Sequence, residues 1–163
     1  MLIELRQLIR RFHGDEKGTA LIETAIAAPF VLLLSAGVFE FSNILNTRLL
    51  LEAGVEDAAR YMARCNDSTN CISYGTNLAV NGSITGGSAR VPNWTTAQVT
   101  ITTSHTPAVD LATGTELYLS STANVDVVKV STSIPYSGIG LWSYLGFGTI
   151  NITASHQERV LGW

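Results

Sequence analysis

Charged side chains are scarce in this sequence. Only 14% of its residues are Asp, Glu, Lys or Arg, and the formal net charge is -3. A protein that binds nucleic acid needs a basic surface to meet the phosphates, so this balance predicts no nucleic-acid partner. The few charges are also unevenly placed, because none occurs from Thr24 to Phe39.

The sequence also lacks the short motifs of common catalytic sites. GxSxG, HExxH, the P-loop and GxGxxG do not occur in it. Its three histidines, His13, His105 and His156, are isolated from one another and from the cysteines. A lone histidine is more often a surface or hydrogen-bonding residue than a ligand or a general base. We therefore predict that the protein is not an enzyme and holds no cofactor or metal ion.

Cysteine is nearly absent as well. The two cysteines, Cys65 and Cys71, are too far apart for a CxxC motif and have no histidine pair near them. In an exported compartment they would form a disulfide that closes a short loop, whereas in a reducing compartment both would be free thiols. The choice depends on the topology of the chain.

A long apolar run, from Leu21 to Leu45, is what the sequence has instead. About twenty such residues cross the hydrocarbon core of a bilayer as a helix. Basic residues precede the run, and three arginines mixed with acidic residues follow it. The positive-inside bias therefore favours a cytoplasmic N-terminus and an exported C-terminal part. The basic residues are Arg6, Arg10, Arg11 and Lys17 before the run and Arg48, Arg60 and Arg64 after it.

An ordinary signal peptide is an alternative interpretation of this segment. The small residues around Ser35 to Gly37 could form a weak cleavage site. Against it, the apolar run continues through Phe41, and a carboxylate, Glu23, lies near its start. A carboxylate inside a membrane helix costs about 2 to 3 kcal/mol even on lenient insertion scales, so it normally has a partner or a function.

The residues around Glu23 resemble a type IV prepilin processing site. Gly18-Thr19-Ala20-Leu21-Ile22-Glu23 follows basic residues and leads into the apolar helix. Over roughly residues 10 to 45 the string, with Pro29, Gly37, Glu40 and Phe41, is similar to the TadE-like minor pilins or pseudopilins of tight-adherence (Flp-type) pili.

This resemblance implies a function and a set of partners. A prepilin peptidase would cut a leader, residues 1–18, after Gly18, and Thr19 would become the new N-terminus. Glu23 of a neighbouring subunit could then neutralise the Thr19 amine within the bilayer. The implied partners are the peptidase, other major and minor pilins, the pilus assembly platform and inner-membrane lipid. An uncleaved single-span anchored binding module and a secreted soluble protein remain as alternatives.

Beyond the predicted membrane helix, residues 19–45, an amphipathic extension is expected over residues 46–65. Charged residues recur there at four-residue spacing, with Glu56 placed to pair with Arg60. Gly54 weakens the helical pattern and could mark a break. The residues expected to cover the exported domain are Leu45, Leu49, Ala53, Ala58 and Met62.

The exported domain, residues 66–163, has the patterning of strands. Alternating or β-branched segments occur at Gln98–Thr103, Val125–Ile134 and Thr149–Ser155, and a fourth strand could lie near Leu117–Leu119. We therefore expect an α+β fold in which a long N-terminal helix packs on a small antiparallel sheet of three to four strands, as in pilins.

An apolar segment between the last two expected strands must be covered. It could pack on its own domain, or it could contact neighbouring subunits or the membrane surface. The residues of this candidate interface are Leu141, Trp142, Tyr144, Leu145 and Phe147.

Overall fold

The computed structural model describes residues 16–66, 69–120, 123–136, 138, 140–146 and 148–160. Of the predicted leader, residues 1–15 lie outside this description. The chain divides into two compact units, Met1–Phe41 (unit 1) and Ser42–Trp163 (unit 2), which are described in turn.

A single helix, α1, runs from Glu16 to Met62 and contributes to both units. Within unit 1 its large apolar side chains are exposed, as at Phe30 (67%) and Val38 (68%). A helix whose large apolar side chains are exposed on several sides fits a lipid environment. Among the described residues, one helix, Gly18–Met62, is long and apolar enough to cross a membrane, and none of its apolar window is buried.

In unit 2, α1 buries a face made mostly of small residues. Leu51, Val55, Ala58 and Ala59 recur at helical spacing and are at most 1% exposed. The expected face was wrong in part: Ala58 is buried and Met62 packs at the edge of the core, but the other three expected residues are exposed. Small residues on the buried face let α1 come closer to the rest of unit 2 than leucines would. Leu45, Leu49 and Ala53 lie on the opposite, exposed side of the helix.

Three antiparallel strands form the sheet of unit 2, in the order β1-β2-β3. They are β1 (Val99–Pro107), β2 (Asn124–Pro135) and β3 (Asn151–Arg159). Their inner face is apolar, with Val130 fully buried opposite Ile101 in the register of β1 and β2. The predicted α+β layout is confirmed, but no strand forms at Leu117–Leu119, where the nearest pairing is an isolated bridge from Val109 to Glu116.

A second helix, α2 (Cys71–Asn81), was not predicted from the sequence. It ends at Gly82, which adopts φ 71° in the left-handed region and donates its backbone N–H to the carbonyl of Leu78 at 2.9 Å. Ala79 and Val80 place this helix in the core. Its Ser, Thr, Asn and Gly residues have low helix propensity, so the sequence shows no clear helical pattern there.

Trp94 lies at the centre of unit 2, 2% exposed. Its Nε1 donates to Thr132 Oγ1 at 2.9 Å, and the same hydroxyl donates to the carbonyl of Gln98 at 2.9 Å. Gly54 of α1 faces the indole, and a Cβ there would stand 2.6 Å from Trp94 Cη2 and 2.5 Å from the carbonyl oxygen of Ala79. The helix is unbroken at Gly54, so this glycine serves close packing.

Candidate processing and assembly site

The predicted cleavage residues lie in the first turns of α1. Gly18, Thr19 and Glu23 are all helical and exposed. Thr19 and Glu23 are four residues apart, which places them on one face of the helix. A Cβ at Gly18 would meet nothing within 4 Å among the described residues, so packing against that part of the chain does not require glycine here.

The polar side chains of the apolar stretch differ in how the helix accommodates them. Thr24 Oγ1 donates to the carbonyl of Ala20 at 2.8 Å, and Ser35 Oγ donates to that of Val31 at 2.8 Å. Hydroxyls satisfied in this way are tolerated in a membrane helix. Glu23 presents an exposed carboxylate, whereas Glu40 is 1% exposed.

Cys65 and Cys71 are joined as a disulfide, with their Cα atoms 5.9 Å apart. The bond links the residues that follow α1 to the first residue of α2. It therefore holds in place a helix whose N-cap residue, Asn70, makes no side-chain capping bond.

The connection from β2 to β3 (the β2–β3 loop, residues 136–150) contains the candidate interface. A one-turn helix, α3 (Leu141–Tyr144), follows Gly140, whose φ is 93°. Leu141 and Trp142 are half-buried, whereas Tyr144 and Leu145 are 83% and 44% exposed. Phe147 lies outside the described residues. The apolar segment is therefore only partly covered by its own domain.

The loop leaves the sheet beside the part of α1 that enters unit 2. The backbone N–H of Tyr136 donates to the carbonyl of Ile150 at 2.8 Å, which closes the base of the loop. Asn43 Nδ2 donates to the Tyr136 hydroxyl at 2.9 Å. Sequence reasoning missed this bond, because no local pattern links an asparagine in a helix to a tyrosine that follows a distant strand.

Charges in unit 2 are mostly paired on its surface. Arg48 bonds to Glu52 at 2.8 Å, and Arg60 pairs with Glu56 as predicted. A groove of about 690 Å³ is lined by Arg48, Glu52, Lys129 and several Ser and Thr residues, so it presents no single sign of charge. Within the described ranges, no cluster of three or more His, Cys, Asp or Glu residues could hold a metal ion.

One titratable group outside the apolar stretch is shifted by its surroundings. Hydrogen bonds from the backbone of Ala112 and then from the side chain of Thr113 lower the pKa of Asp110 below its ordinary value. Asp110 is partly exposed and lies in the connection between β1 and β2. The shift therefore reflects a local turn rather than a catalytic environment.

Residues 18–60 match the family model described as TadE-like protein. This chain carries a TadE-like segment. The match begins at Gly18 and stays within α1, and it confirms the resemblance predicted from the sequence. The sheet of unit 2 lies outside the match. No curated protein and no solved structure matches the chain.

Proposed function

We propose that this protein is a minor pilin or pseudopilin that takes part in assembly of a tight-adherence type IV pilus. A prepilin peptidase cuts it between Gly18 and Thr19, and the mature subunit is added to other pilins at the assembly platform. The observation that carries the proposal is the TadE-like match that begins at Gly18 and includes Glu23 in the apolar helix.

Gly18 supports a processing role because the described part of the fold does not require glycine at this position. Glycine in a helix interior costs about 1 kcal/mol relative to alanine. At Gly54 that cost is offset by the close approach of Trp94, but a Cβ at Gly18 would touch nothing. A peptidase that must bring its catalytic groups to the backbone would benefit from the missing side chain.

Glu23 supports an assembly role through charge. Cleavage would create an α-amino group on Thr19 that is cationic at neutral pH. Neither this amine nor an exposed carboxylate is stable alone in hydrocarbon, so pairing them between two subunits would stabilise the contact. The same pairing would not form before cleavage, which would limit assembly to processed subunits.

The topology follows from the same segment. With a single span and a cytoplasmic N-terminus, unit 2 would face the periplasm or the cell exterior and α1 would be held in inner-membrane lipid. An oxidising exported compartment would also suit the disulfide between Cys65 and Cys71.

Mass spectrometry of the protein purified from cells that carry the pilus system tests the proposal. A mature N-terminus at Thr19 is expected. An intact Met1 would instead support an uncleaved anchored binding module, and an N-terminus near Gly37 a secreted protein released by signal peptidase. Either of these results would contradict the proposal.

A substitution at the cut site gives a second test. Gly18→Phe should block processing, because a bulky side chain would occupy the space next to the scissile bond. Gly37→Phe is the matched control, since a Cβ at Gly37 also meets nothing within 4 Å and the residue is far from the cut. Normal cleavage of Gly18→Phe would refute the assignment of the site.

A further inference from the structure

Two apolar loops leave the sheet of unit 2 at opposite ends. The connection from β1 to β2 (the β1–β2 loop, residues 108–123) begins after Pro107 and returns at Asn124. The β2–β3 loop begins after Pro135, at the other end of β2. With twelve residues, β2 separates the two ends by about 40 Å. The two loops therefore lie at opposite ends of unit 2.

The β2–β3 loop lies at the end where α1 enters unit 2. The bond from Asn43 to Tyr136 ties the base of the loop to α1 two residues after Phe41, where the apolar run is ending. Ile44, the next residue of α1, packs against the core of unit 2. If α1 spans a bilayer, the loop starts close to the level at which the helix leaves the hydrocarbon.

The composition of this loop suits a lipid surface. From Tyr136 to Ile150 it contains no Asp, Glu, Lys or Arg, and it carries both tryptophan and tyrosine. Trp and Tyr are enriched at membrane–water interfaces, where the ring lies among the acyl chains and the polar atom reaches the headgroups. Tyr144, 83% exposed, and Leu145, 44% exposed, are the side chains left uncovered by unit 2.

The β1–β2 loop provides the contrast. It exposes apolar side chains to the same degree, with Leu119 at 85% and Leu111 at 90%. It also carries two acidic residues, Asp110 and Glu116. Arg159 of β3 holds the loop by donating to the carbonyl of Leu119 at 2.6 Å. Acidic residues oppose contact with an anionic bilayer. Exposed apolar surface alone thus does not distinguish the loops, but position and charge do.

We infer that Tyr144 and Leu145 insert into the headgroup region of the bilayer beside α1, so that the β2–β3 loop is a second membrane contact of unit 2. The inference rests on the membrane-spanning role of α1 in the proposed function, but not on cleavage or on pilus assembly. The contact would fix the height of unit 2 above the membrane and would have to be released when a subunit is extracted.

Spin labels on the full-length protein can test this inference. The protein is placed in nanodiscs of phosphatidylcholine and phosphatidylglycerol, one copy per disc, and a nitroxide is attached to Tyr144→Cys. Cys65 and Cys71 are bonded to each other and do not react with the label. Leu119→Cys is the matched control with equal exposure, and Leu33→Cys in the apolar run is the lipid reference.

The readout is the ratio of collisions with oxygen, which concentrates in lipid, to collisions with a water-soluble nickel chelate. The ratio at position 144 should be several-fold higher than the ratio at position 119 and lower than the ratio at position 33.

Equal ratios at 144 and 119, with a lipid-like ratio at 33, would overturn the inference and leave the proposed function intact. Low collision rates with both reagents at 144 would also overturn it, since the side chain would then be packed on protein. A water-like ratio at 33 would contradict the span itself, and with it both the inference and the proposed function.

Discussion

At the scale of single residues, Gly54 shows how one missing side chain shapes unit 2. A Cβ at this position would overlap both the indole of Trp94 and the carbonyl oxygen of Ala79. Gly54→Ala gains about 1 kcal/mol of helix propensity, but overpacking of this kind typically costs about 1 to 3 kcal/mol, so the net loss of stability is up to about 2 kcal/mol. We expect a net loss of stability in thermal unfolding of the full-length protein in detergent. Asn46→Ala, on the exposed side of α1, is the control and should change little.

Thr132 is a second residue whose contribution to stability can be measured, through its side-chain hydroxyl. It accepts from Trp94 Nε1 and donates to the Gln98 carbonyl inside the core. Thr132→Val keeps the shape but leaves both groups without this partner, which typically costs about 1 to 3 kcal/mol per buried group. Thr132→Ser retains the hydroxyl and should lose much less in the same unfolding measurement. A loss of stability in Thr132→Ser that is as large as or larger than the loss in Thr132→Val would contradict the role of the hydroxyl at this position.

At the scale of elements, the disulfide links the segment after α1 to the first residue of α2. Its cysteines are 6 residues apart, and closing so short a loop stabilises a fold by about 2 kcal/mol in the chain-entropy estimate. Reduction should therefore lower the unfolding temperature of the wild-type protein. The double variant Cys65→Ser and Cys71→Ser should start from the lower value and be insensitive to reductant. A wild-type protein that unfolds identically with and without reductant would contradict this role.

The β1–β2 loop should respond to acid through Asp110. Its pKa is lowered from 3.8 by the backbone of Ala112 and the side chain of Thr113, so its ionised form is favoured in the folded loop. The turn is therefore supported above that value, and the support is lost as the pH falls through the lower, folded-state pKa. An NMR titration of the Asp110 carboxyl should give a midpoint below 3.8, and Asp110→Asn should remove the pH response of the Ala112 amide. A midpoint at or above the ordinary value would exclude these bonds in solution.

Elements also show what sequence patterns could and could not predict. The three strands were predictable because apolar and polar residues alternate in them or β-branched residues dominate. The face of α1 was misjudged because Leu45 and Leu49 look like core residues, whereas small residues such as Gly54 and Ala58 determine which side packs. The helix α2 was missed because its stability comes from the core contacts of Ala79 and from its linkage to α1, which no local propensity reveals.

At the scale of the whole molecule, the N-terminal helix was the easiest segment to interpret from sequence. It is also the segment that the TadE-like family model matches. The apolar helix and its family resemblance depend on local residues, so they could be predicted from the string that begins at Gly18. The positions of the exposed loops depend on strand order, and only the fold shows that the loop containing Tyr144 leaves the sheet at Tyr136, which is bonded to Asn43.

The proposed pairing of Glu23 with the Thr19 amine of a neighbouring subunit belongs to the scale of the assembled pilus. Glu23→Ala should be cleaved normally, because the glycine at the cut site is retained, but should impair incorporation into pili. The loss follows from leaving the amine without a counter-charge in the bilayer. Glu52→Gln is the control, since it removes an exposed carboxylate whose pair with Arg48 is worth only a few tenths of a kcal/mol. Both variants are compared by the N-terminus of the mature protein and by its amount in sheared pili. If cleaved Glu23→Ala entered pili as well as the control does, the carboxylate would not be the partner of the amine, and the energy for subunit addition would have to come from helix packing alone.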